Sequence, residues 1–429
     1  MNEMFLHYVW RHRLYSCINL KTIDGEEVSV IHPGFSHHHA GPDFKQAVIK
    51  IGDITWAGDV EIHVHSSDWL KHYHHEDPKY QSIILHIVYQ HDVNLYDAET
   101  RYFPTLELHS RIDEALIERY KNLIFNDLQL PCYNQIKEVD SLRFCSFLSG
   151  IAMERMQCKQ QHIFSVLHQC EENWEETFFR ILITSFGFKS NLPAFEFLAQ
   201  SLPYKCIAKH AHVKLQIYAL VFGQAGMLDL DCEDEYYKLL HEEYQYLRYK
   251  YNLTPIPYKC WNYLRLRPPN FPAVRLAQLS ELLHCSPALF HSILHDERSL
   301  ELEHLFAVNP DSYWQTHYIF DKKVKKHNAS LGKNAIESLI INSVVPTLYS
   351  YAVFQGDEKL QMRTVSILEN IDFEKNHITR FYREAGFPTG GALFSQAILE
   401  LRNKYCQKKR CLECVIGSYI LKFSTDRKS

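Results

Sequence analysis

The sequence predicts an α+β protein in which an N-terminal αβββαβ core precedes a large all-helical region. Short runs that alternate apolar and polar residues dominate before residue 112, whereas apolar residues beyond Asp113 recur every three to four positions. The composition is 46% hydrophobic, 13% aromatic and 23% charged, as in ordinary globular proteins. We therefore expect an α/β domain over 1–112, a helical domain over 113–330 and a C-terminal helical segment over 331–429.

The first 112 residues supply the elements of the core in order. A helix is expected where apolar residues follow helical spacing, and strands where β-branched and aromatic residues predominate. Ser66 or Ser67 can cap a short helix that carries Trp69. The predicted elements are helix 3–14, strands 27–31, 44–51 and 55–65, the short helix, strand 83–89 and a further strand within 101–108.

The remainder of the chain is expected to be helical. A proline-rich joint from Pro255 to Pro272 interrupts the helical pattern, and three or four more helices are expected after Gly332. Before the last block, the predicted helices cover 112–123, 141–157, 175–186, 194–202, 209–222, 232–249 and 274–284.

Charge and cysteine content limit the function classes. The net charge of −5 requires any nucleic-acid surface to be a local basic patch. The 12 cysteines and an N-terminus without signal-peptide features favour a cytoplasmic protein with reduced thiols. The longest apolar stretch, 336–354, contains Glu337, Asn342 and Pro346, so we interpret it as a buried helix and expect no membrane partner.

A row of potential metal ligands marks the candidate site. Alternation along the predicted strand 55–65 places Asp59, Glu61, His63 and His65 on one face. Pairing with the strand that follows Asp43 could bring the Asp43 carboxylate beside Glu61. Two such carboxylates suit Mg²⁺ or Mn²⁺, with Asp59 and His65 as candidate accessory ligands.

Histidines are unusually dense around this row. As a group they favour zinc, manganese or iron over magnesium, and a set of imidazoles and carboxylates could form a transition-metal hydrolase of another kind. For any single histidine, however, a place in a polar rim is the simpler interpretation. The group consists of His32, His37, His38, His39, His63, His65, His72, His74, His75 and His86.

The strand order, the Pro42-Asp43 pair and the tripeptide Glu61-x-His63 together resemble the PD-(D/E)XK nuclease superfamily. The resemblance implies a restriction-endonuclease-like core and metal-dependent hydrolysis of phosphodiesters in DNA or RNA. It makes Asp43 and Glu61 the ligands of Mg²⁺ or Mn²⁺, places His63 at the position of the usual lysine as the catalytic group, and offers Glu3 as a helix-borne carboxylate. Because histidine replaces lysine, a catalytically inactive binding or assembly module is the alternative. If the site is a working nuclease, His63→Lys should preserve cleavage.

A second resemblance covers nearly the whole chain. The segments Gly41-Pro42-Asp43-Phe44, Arg267-Pro-Pro-Asn-Phe-Pro and the cysteine-containing C-terminus look like those of an uncharacterised bacterial family known only as a domain of unknown function. This resemblance implies no particular activity.

Three cysteines near the C-terminus form the second candidate metal site. Cys406, Cys411 and Cys414 have a spacing at which thiolates can hold Zn²⁺ or an iron–sulfur cluster if a fourth ligand is supplied. Certain nucleases of the superfamily close such a cluster with one cysteine before the core and three after it, which points to Cys17. Cys260 and Cys285 are rivals for the fourth position, and three reduced thiols on a final helix are the alternative to a metal site.

Basic residues next to the proline-rich joint are candidates for nucleic-acid binding. Arg265, Arg267 and Arg275 could contact phosphates if they converge on one groove. Arginines near proline turns also commonly cap helices or form ion pairs.

Overall fold

The computed structural model describes residues 1–37, 40–95, 104–126, 128–296 and 302–423. The chain forms a mixed α+β structure that divides into two compact units. The first unit comprises Met1–Phe144 and Arg402–Ser429, and the second comprises Cys145–Leu401. The first unit is therefore built from two segments that lie far apart in the sequence.

The expected boundaries at 112 and 330 do not coincide with this division. Within the first unit, helix Glu114–Ile124 packs against helix Val415–Phe423, so the predicted helical domain begins inside the unit that contains the sheet. The described α-helices are α1 (Glu3–His12), α2 (Asp68–Lys71), α3 (Glu114–Ile124), α4 (Ser141–Gln169), α5 (Trp174–Phe186), α6 (Leu192–Ser201), α7 (Tyr204–His210), α8 (Lys214–Gln224), α9 (Glu235–Tyr251), α10 (Pro272–Cys285), α11 (Leu289–His295), α12 (Glu303–Phe306), α13 (Lys333–Leu339), α14 (Val345–Gln355), α15 (Glu358–Asn370), α16 (His377–Ala385), α17 (Gly391–Leu401) and α18 (Val415–Phe423).

One sheet forms the centre of the first unit. Its strands are β1 (Val28–His32), β2 (Phe35–Ser36), β3 (Phe44–Ile51), β4 (Ile54–His65), β5 (Ile83–Gln90) and β6 (Thr105–Glu107). The order is β1-β3-β4-β5-β6, with β2 also paired to β3. The pairs from β1 to β4 are antiparallel, whereas β4, β5 and β6 are parallel to their neighbours.

These strands agree closely with the predicted elements. The predicted strand 44–51 is confirmed with the same bounds as β3, and 55–65 and 83–89 each differ by one residue from β4 and β5. The strand expected within 101–108 is β6, while 101–103 lie outside the described residues. Alternating side chains and the short Gly52-Asp53 turn specify the β3–β4 hairpin because only one register buries its apolar face.

Helix α1 contacts β4, and Phe5, Leu6 and Val9 of this helix are fully buried. Apolar residues at this spacing form one face of a helix, as the sequence predicts. On the other side of β4, Gly58 allows close approach to β5, because a Cβ at this position would lie 2.4 Å from Cγ2 of Ile84. These contacts fix the strand that carries Glu61 and His63.

The second unit consists of packed helices. Neighbouring helices in the sequence pair, as do α5 with α6, α8 with α9 and α14 with α15. The predicted helix 209–222 is instead two helices, α7 and α8, because the chain turns at 211–213 and the N–H of Val213 bonds to the carbonyl of His210 at 2.9 Å. The predicted helix 141–157 continues to Gln169.

The long apolar stretch 336–354 is largely buried, as expected. It runs through α13, a π-helical segment at Ile340–Val344 and α14, with Leu339 and Leu348 fully buried. Among the described residues, none of the helices has both the length and the apolar character that crossing a bilayer requires.

Candidate metal centre

The β3–β4 hairpin brings Asp43 beside Glu61. A bulge near the start of β3, where Gln46 has a φ of 59°, bends the strand just after Asp43. The backbone N–H of Asp43 donates a hydrogen bond of 3.1 Å to Oε2 of Glu61. Oδ2 of Asp43 accepts a hydrogen bond of 3.0 Å from the N–H of Ile62. The two carboxylates are thus held side by side by backbone groups of the opposite strand.

Glu61 is buried, with only 5% of its surface exposed. Burial raises the pKa of its carboxyl group to about 9, and the negative charges of Asp43 and Glu3 add to the shift. Oε1 of Glu61 faces two histidines, at 3.4 Å from Nε2 of His74 and 3.8 Å from Nε2 of His63. A cation placed beside Oε1 would offset both the burial and the like charges.

His63 is 1% exposed and lies at the centre of a chain of imidazoles. Its Nδ1 lies 2.8 Å from Nε2 of His86, and its Nε2 lies 3.2 Å from Nδ1 of His72. Burial and the surrounding imidazoles of His86, His74 and His72 lower the pKa of His63 to about 3. The ring is therefore neutral at physiological pH, which is the form that binds a metal.

The turn after α2 contributes His72 and His74 to the same place. One ligand atom from each of His63, His72 and His74 lies within 4.8 Å of the others. Trp69 supports this turn: it is 4% exposed, and its ring centroid lies 5.4 Å from that of His74. Between the two histidines, Tyr73 has a φ of 58° and an exposed side chain. We refer to Glu61, His63, His72 and His74 as the histidine–carboxylate cluster.

The donors of this cluster suit a transition metal. Imidazole nitrogens bind zinc, manganese and iron well, whereas Mg²⁺ prefers oxygen ligands. Three protein ligands with a further position for water are the usual set of a catalytic zinc site. His86, in β5, lies behind His63 and is fully buried; a hydrogen bond to the second ring nitrogen fixes the orientation of a ligating histidine.

Two predicted ligands on β4 make other contacts. Oδ1 of Asp59 accepts a hydrogen bond of 3.1 Å from the N–H of Gln46, and Oδ2 accepts one of 2.6 Å from the hydroxyl of Ser82. The side chain of His65 is 44% exposed and its Nδ1 lies 3.8 Å from Oδ2 of Asp68. The pairing of β4 with β5 shifts its register after Asp59, where β5 carries the additional residue Ile84.

Helix α1 adds two polar side chains to the surroundings of Asp43. Nε2 of His7 lies 3.2 Å from Oδ2 of Asp43. Burial raises the pKa of Glu3, and the neighbouring charges of His72 and Asp43 also act on it. Glu3, offered by the resemblance as a helix-borne carboxylate, therefore lies within electrostatic range of the cluster.

A basic cavity of about 470 Å³ begins at His7 and extends along α1. Arg11 and His12 line it, together with Arg410 and Glu413, which form an ion pair with each other. His12 also lies 2.9 Å from Nζ of Lys422, and burial together with the charges of Lys422 and Arg11 lowers the pKa of His12 to about 4. His12 is therefore neutral at physiological pH, and the positive charges next to it are those of Arg11 and Lys422, which would favour a bound anion.

The arginines proposed to bind nucleic acid lie in the second unit. Arg265 and Arg267 are exposed. Arg275 already has intramolecular partners, because its guanidinium donates to Gln278 at 2.8 Å and to Asn270 at 2.7 Å. The three arginines belong to a different unit from the histidine–carboxylate cluster.

The predicted cysteines divide between the units. Cys406, Cys411 and Cys414 are buried in the first unit. Cys17 is exposed, and its thiol lies 3.8 Å from the carbonyl of Tyr15. Cys260 and Cys285 belong to the second unit.

Sequence reasoning did not single out the roles of His72, His74 and His86. Their only signal was the histidine density, because the fold decides which members of that group converge. His38 and His39 lie outside the described residues. The basic pair His12 and Lys422 gave no local signal, since its members are far apart in the sequence.

Comparison with known proteins gives a family without an assigned activity. No curated protein and no solved structure matches the chain. A family model described as a protein of unknown function (DUF2851) matches residues 3–377, which confirms the resemblance to an uncharacterised family seen in the sequence. The chain belongs to this DUF2851 family.

Proposed function

We propose that the first unit is a metal-dependent hydrolase that cleaves phosphodiester bonds in nucleic acid. The observation that carries the proposal is that Oε1 of the buried Glu61, beside Asp43, lies 3.4 Å from Nε2 of His74 and 3.8 Å from Nε2 of His63. These two histidines form a group of potential ligands with His72. A buried carboxylate surrounded by neutral imidazoles is costly without a cation, and the same donors suit a divalent transition metal.

The proposed roles follow from the contacts. His63, His72 and His74 hold the ion, with His86 orienting His63. A bound divalent ion lowers the pKa of its water ligand and polarises a phosphoryl oxygen. Oε2 of Glu61 accepts a hydrogen bond from the N–H of Asp43, so Oε1, next to His74, is the atom that would accept a proton from a water molecule. His63 is thereby a ligand in this proposal, rather than the group that deprotonates water.

The fold supports phosphodiesters as the substrate class. In PD-(D/E)XK nucleases, which the sequence resembles, an aspartate precedes one strand of a hairpin and a glutamate lies on the next, which pairs in parallel with a further strand after a helix. Asp43, Glu61 and the order β3, β4, α2, β5 have this arrangement. We propose on this basis that the first unit has a nuclease-like core.

The basic cavity supplies the second argument for this substrate. It extends from His7, which contacts Asp43, to Arg11 and His12. A phosphate backbone bound along α1 would therefore approach the histidine–carboxylate cluster while its charge offsets that of the cations. The −5 net charge of the chain is compatible with such a local patch.

The alternative is a metal-binding module without catalysis. The observation that favours it is the replacement of lysine by His63, whose pKa is lowered to about 3 by burial, so that this position carries no fixed positive charge. Such a module would use the same ion to hold the turn after α2 against the sheet.

Metal content and cleavage assays on three variants separate these functions. Wild-type protein, loaded with Mn²⁺ or Zn²⁺, is incubated with single- and double-stranded DNA and RNA. We expect His74→Ala to lose both metal and cleavage, and Glu61→Gln to keep most of the metal but lose cleavage. His75→Ala is the matched control, because His75 is exposed on the same turn and pairs with Glu76 at 3.4 Å.

Two results would contradict the proposal. Equal metal content in wild type and His74→Ala would remove the cluster as the binding site. A fully loaded wild-type protein that cleaves none of the four substrates would leave the non-catalytic module as the function.

A further inference from the structure

The C-terminal cysteines meet a fourth cysteine that the sequence analysis did not consider. Cys132 follows α3, and it is 8% exposed; Cys406, Cys411 and Cys414 are 9%, 8% and 8% exposed. All four belong to the first unit, although the whole second unit lies between Cys132 and Cys406 in the sequence. Four buried thiols from two distant segments of the sequence thus belong to one compact unit.

Side-chain hydrogen bonds connect the loop after α3, which carries Cys132, to the segment that carries Cys406, Cys411 and Cys414. Nζ of Lys409 donates hydrogen bonds to the carbonyls of Ile124 at 3.0 Å and Asn126 at 2.8 Å. The side-chain amide of Asn126 in turn donates a hydrogen bond of 3.0 Å to the carbonyl of Pro131. Pro131 immediately precedes Cys132. The loop that carries Cys132 is thus tied to the segment that carries the other three cysteines.

The thiols are close enough to interact electrostatically. Burial raises the pKa of Cys132 well above its usual value, and Cys414, Cys406 and Cys411 each raise it further. Burial and the thiols of Cys414 and Cys406 likewise raise the pKa of Cys411 to about 12.

The backbone around Cys414 is arranged to stabilise a thiolate. Cys414 immediately precedes the nine-residue helix α18, and the N–H groups of Gly417 and Ile416 oppose the effect of burial on its pKa, which is raised to about 12. A Cβ at Gly417 would lie 2.1 Å from the carbonyl of Cys411, so α18 and the cysteine segment approach at backbone distance. The segment Arg402–Cys406, which ends at the first of the three C-terminal cysteines, is π-helical.

The separation of the sulfurs distinguishes a cluster from a single ion. One zinc ion, with Zn–S bonds of about 2.3 Å, would place its four sulfurs about 3.8 Å apart. In the described part of the chain, the one group of three or more potential ligand atoms that all lie within 4.8 Å of one another is that of His63, His72 and His74, so no three of the four sulfurs are mutually that close. An iron–sulfur cluster has iron and sulfide atoms between its cysteine ligands and therefore suits a wider set.

We infer that Cys132, Cys406, Cys411 and Cys414 bind an iron–sulfur cluster through four thiolates. The cluster joins the loop after α3 to the segment before α18. Lys409, whose charge lowers the pKa of Cys411, offsets part of the negative charge of the ligated cluster. This site is separate from the histidine–carboxylate cluster, and the inference does not depend on the proposed hydrolase.

The inference is tested on full-length protein purified without oxygen. Iron, acid-labile sulfide and zinc are measured per chain in wild type, Cys132→Ser and Cys17→Ser. We expect iron and sulfide in equal amounts in wild type, a loss of most of both in Cys132→Ser, and no change in Cys17→Ser. Cys17 is the matched control because it lies in the same unit but is exposed.

A second measurement covers the case in which Cys132→Ser fails to fold. Wild-type protein is alkylated before and after iron chelation, and the modified cysteines are identified by mass spectrometry. We expect the four ligands to become reactive together, while Cys17 reacts throughout. Stoichiometric zinc without sulfide in wild type, full iron and sulfide in folded Cys132→Ser, or alkylation of Cys132 independent of chelation would each overturn the inference.

Discussion

Asp43 and Glu61 are linked by a backbone hydrogen bond, in which the N–H of Asp43 donates to Oε2 of Glu61 at 3.1 Å. Because the donor is a main-chain group, substitution at residue 43 leaves it in place. The side chain of Asp43 acts separately, by accepting from Ile62 and by adding negative charge next to Glu61. Positioning and electrostatics can therefore be tested independently at this residue.

We expect Asp43→Asn to lower the pKa of Glu61 from about 9 in metal-free protein, because a neighbouring charge is removed while an acceptor for Ile62 remains. Asp43→Ala should lower it similarly but also cost about 1–2 kcal/mol of unfolding free energy, since the N–H of Ile62 loses its partner. Titration of the Glu61 carboxyl by NMR and denaturant unfolding measure the two effects. An unchanged pKa in both variants would contradict the electrostatic argument.

We expect the His63→Lys variant to lose metal binding and cleavage, contrary to the expectation from the sequence alone. His63 is 1% exposed and contacts His86 and His72, so a lysine there would bury an ammonium group among imidazoles. We expect loss of about 3 kcal/mol or more of unfolding free energy and no metal binding. A folded His63→Lys protein that retains metal-dependent cleavage would restore the lysine-like role of this position.

His86 should tune metal affinity without contacting the ion. Its Nε2 lies 2.8 Å from Nδ1 of His63, so His86→Phe removes the partner that orients a ligand. We expect a 10- to 100-fold loss of metal affinity, as is typical of such partners. His86→Gln, which keeps a hydrogen-bonding group, should retain part of the metal affinity that His86→Phe loses. Competitive metal titration of folded variants provides the measurement, and equal affinities for Phe and Gln would rule out orientation by a hydrogen bond.

The pKa of His12 predicts a specific loss of stability in mild acid. Burial and the charges of Lys422 and Arg11 lower it to about 4, below the value of about 6.5 expected when unfolded. Because the folded-state pKa is the lower one, the stabilisation is fully present above pH 6.5 and falls as the pH drops towards 4. After solvent screening the loss is on the order of 1 kcal/mol. His12→Gln should flatten this part of the curve of unfolding free energy against pH, and an unchanged slope would contradict the assignment.

Charge removal at the basic cavity should weaken nucleic-acid binding. Arg11→Ala removes a cation that lines the cavity, and Lys422→Ala removes one that contacts the cavity residue His12. If each cation contacts one phosphate, the slope of log affinity against log salt should decrease by about 1 per substitution. Arg267→Ala in the second unit is the control, and it also tests the binding site expected from the proline-rich joint. If only Arg267→Ala weakens nucleic-acid binding, the binding site lies in the second unit and not at the cavity along α1.

The sheet could be predicted from sequence because its signals are local. The alternation in β3 and β4 and the Gly52-Asp53 turn specify the hairpin, and the bounds agree within a residue. The break between α7 and α8 could not be predicted, since the helical spacing of apolar residues continues through 211–213.

The residues of the candidate sites could likewise be predicted only where the sequence carries a local signal. Asp43 and Glu61 were identifiable because adjacent strands carry them. The positions of His72 and His74 depend on a short turn in which Tyr73 has a φ of 58°. Tyrosine rarely adopts this conformation, so its presence in the sequence does not predict the turn. Cys132 lies far from the other three cysteines in the sequence, so the sequence analysis named Cys17, Cys260 and Cys285 as fourth ligands and did not consider Cys132.

The assembly of the first unit from Met1–Phe144 and Arg402–Ser429 has a consequence for biosynthesis. On the ribosome, the sheet emerges early, but α18 and three of the cysteines emerge only after the whole second unit has been translated. The partner surface of α3 stays uncovered during that interval. Completion of this unit therefore follows synthesis of the second unit, and chains released before residue 402 should expose that surface to chaperones and proteases.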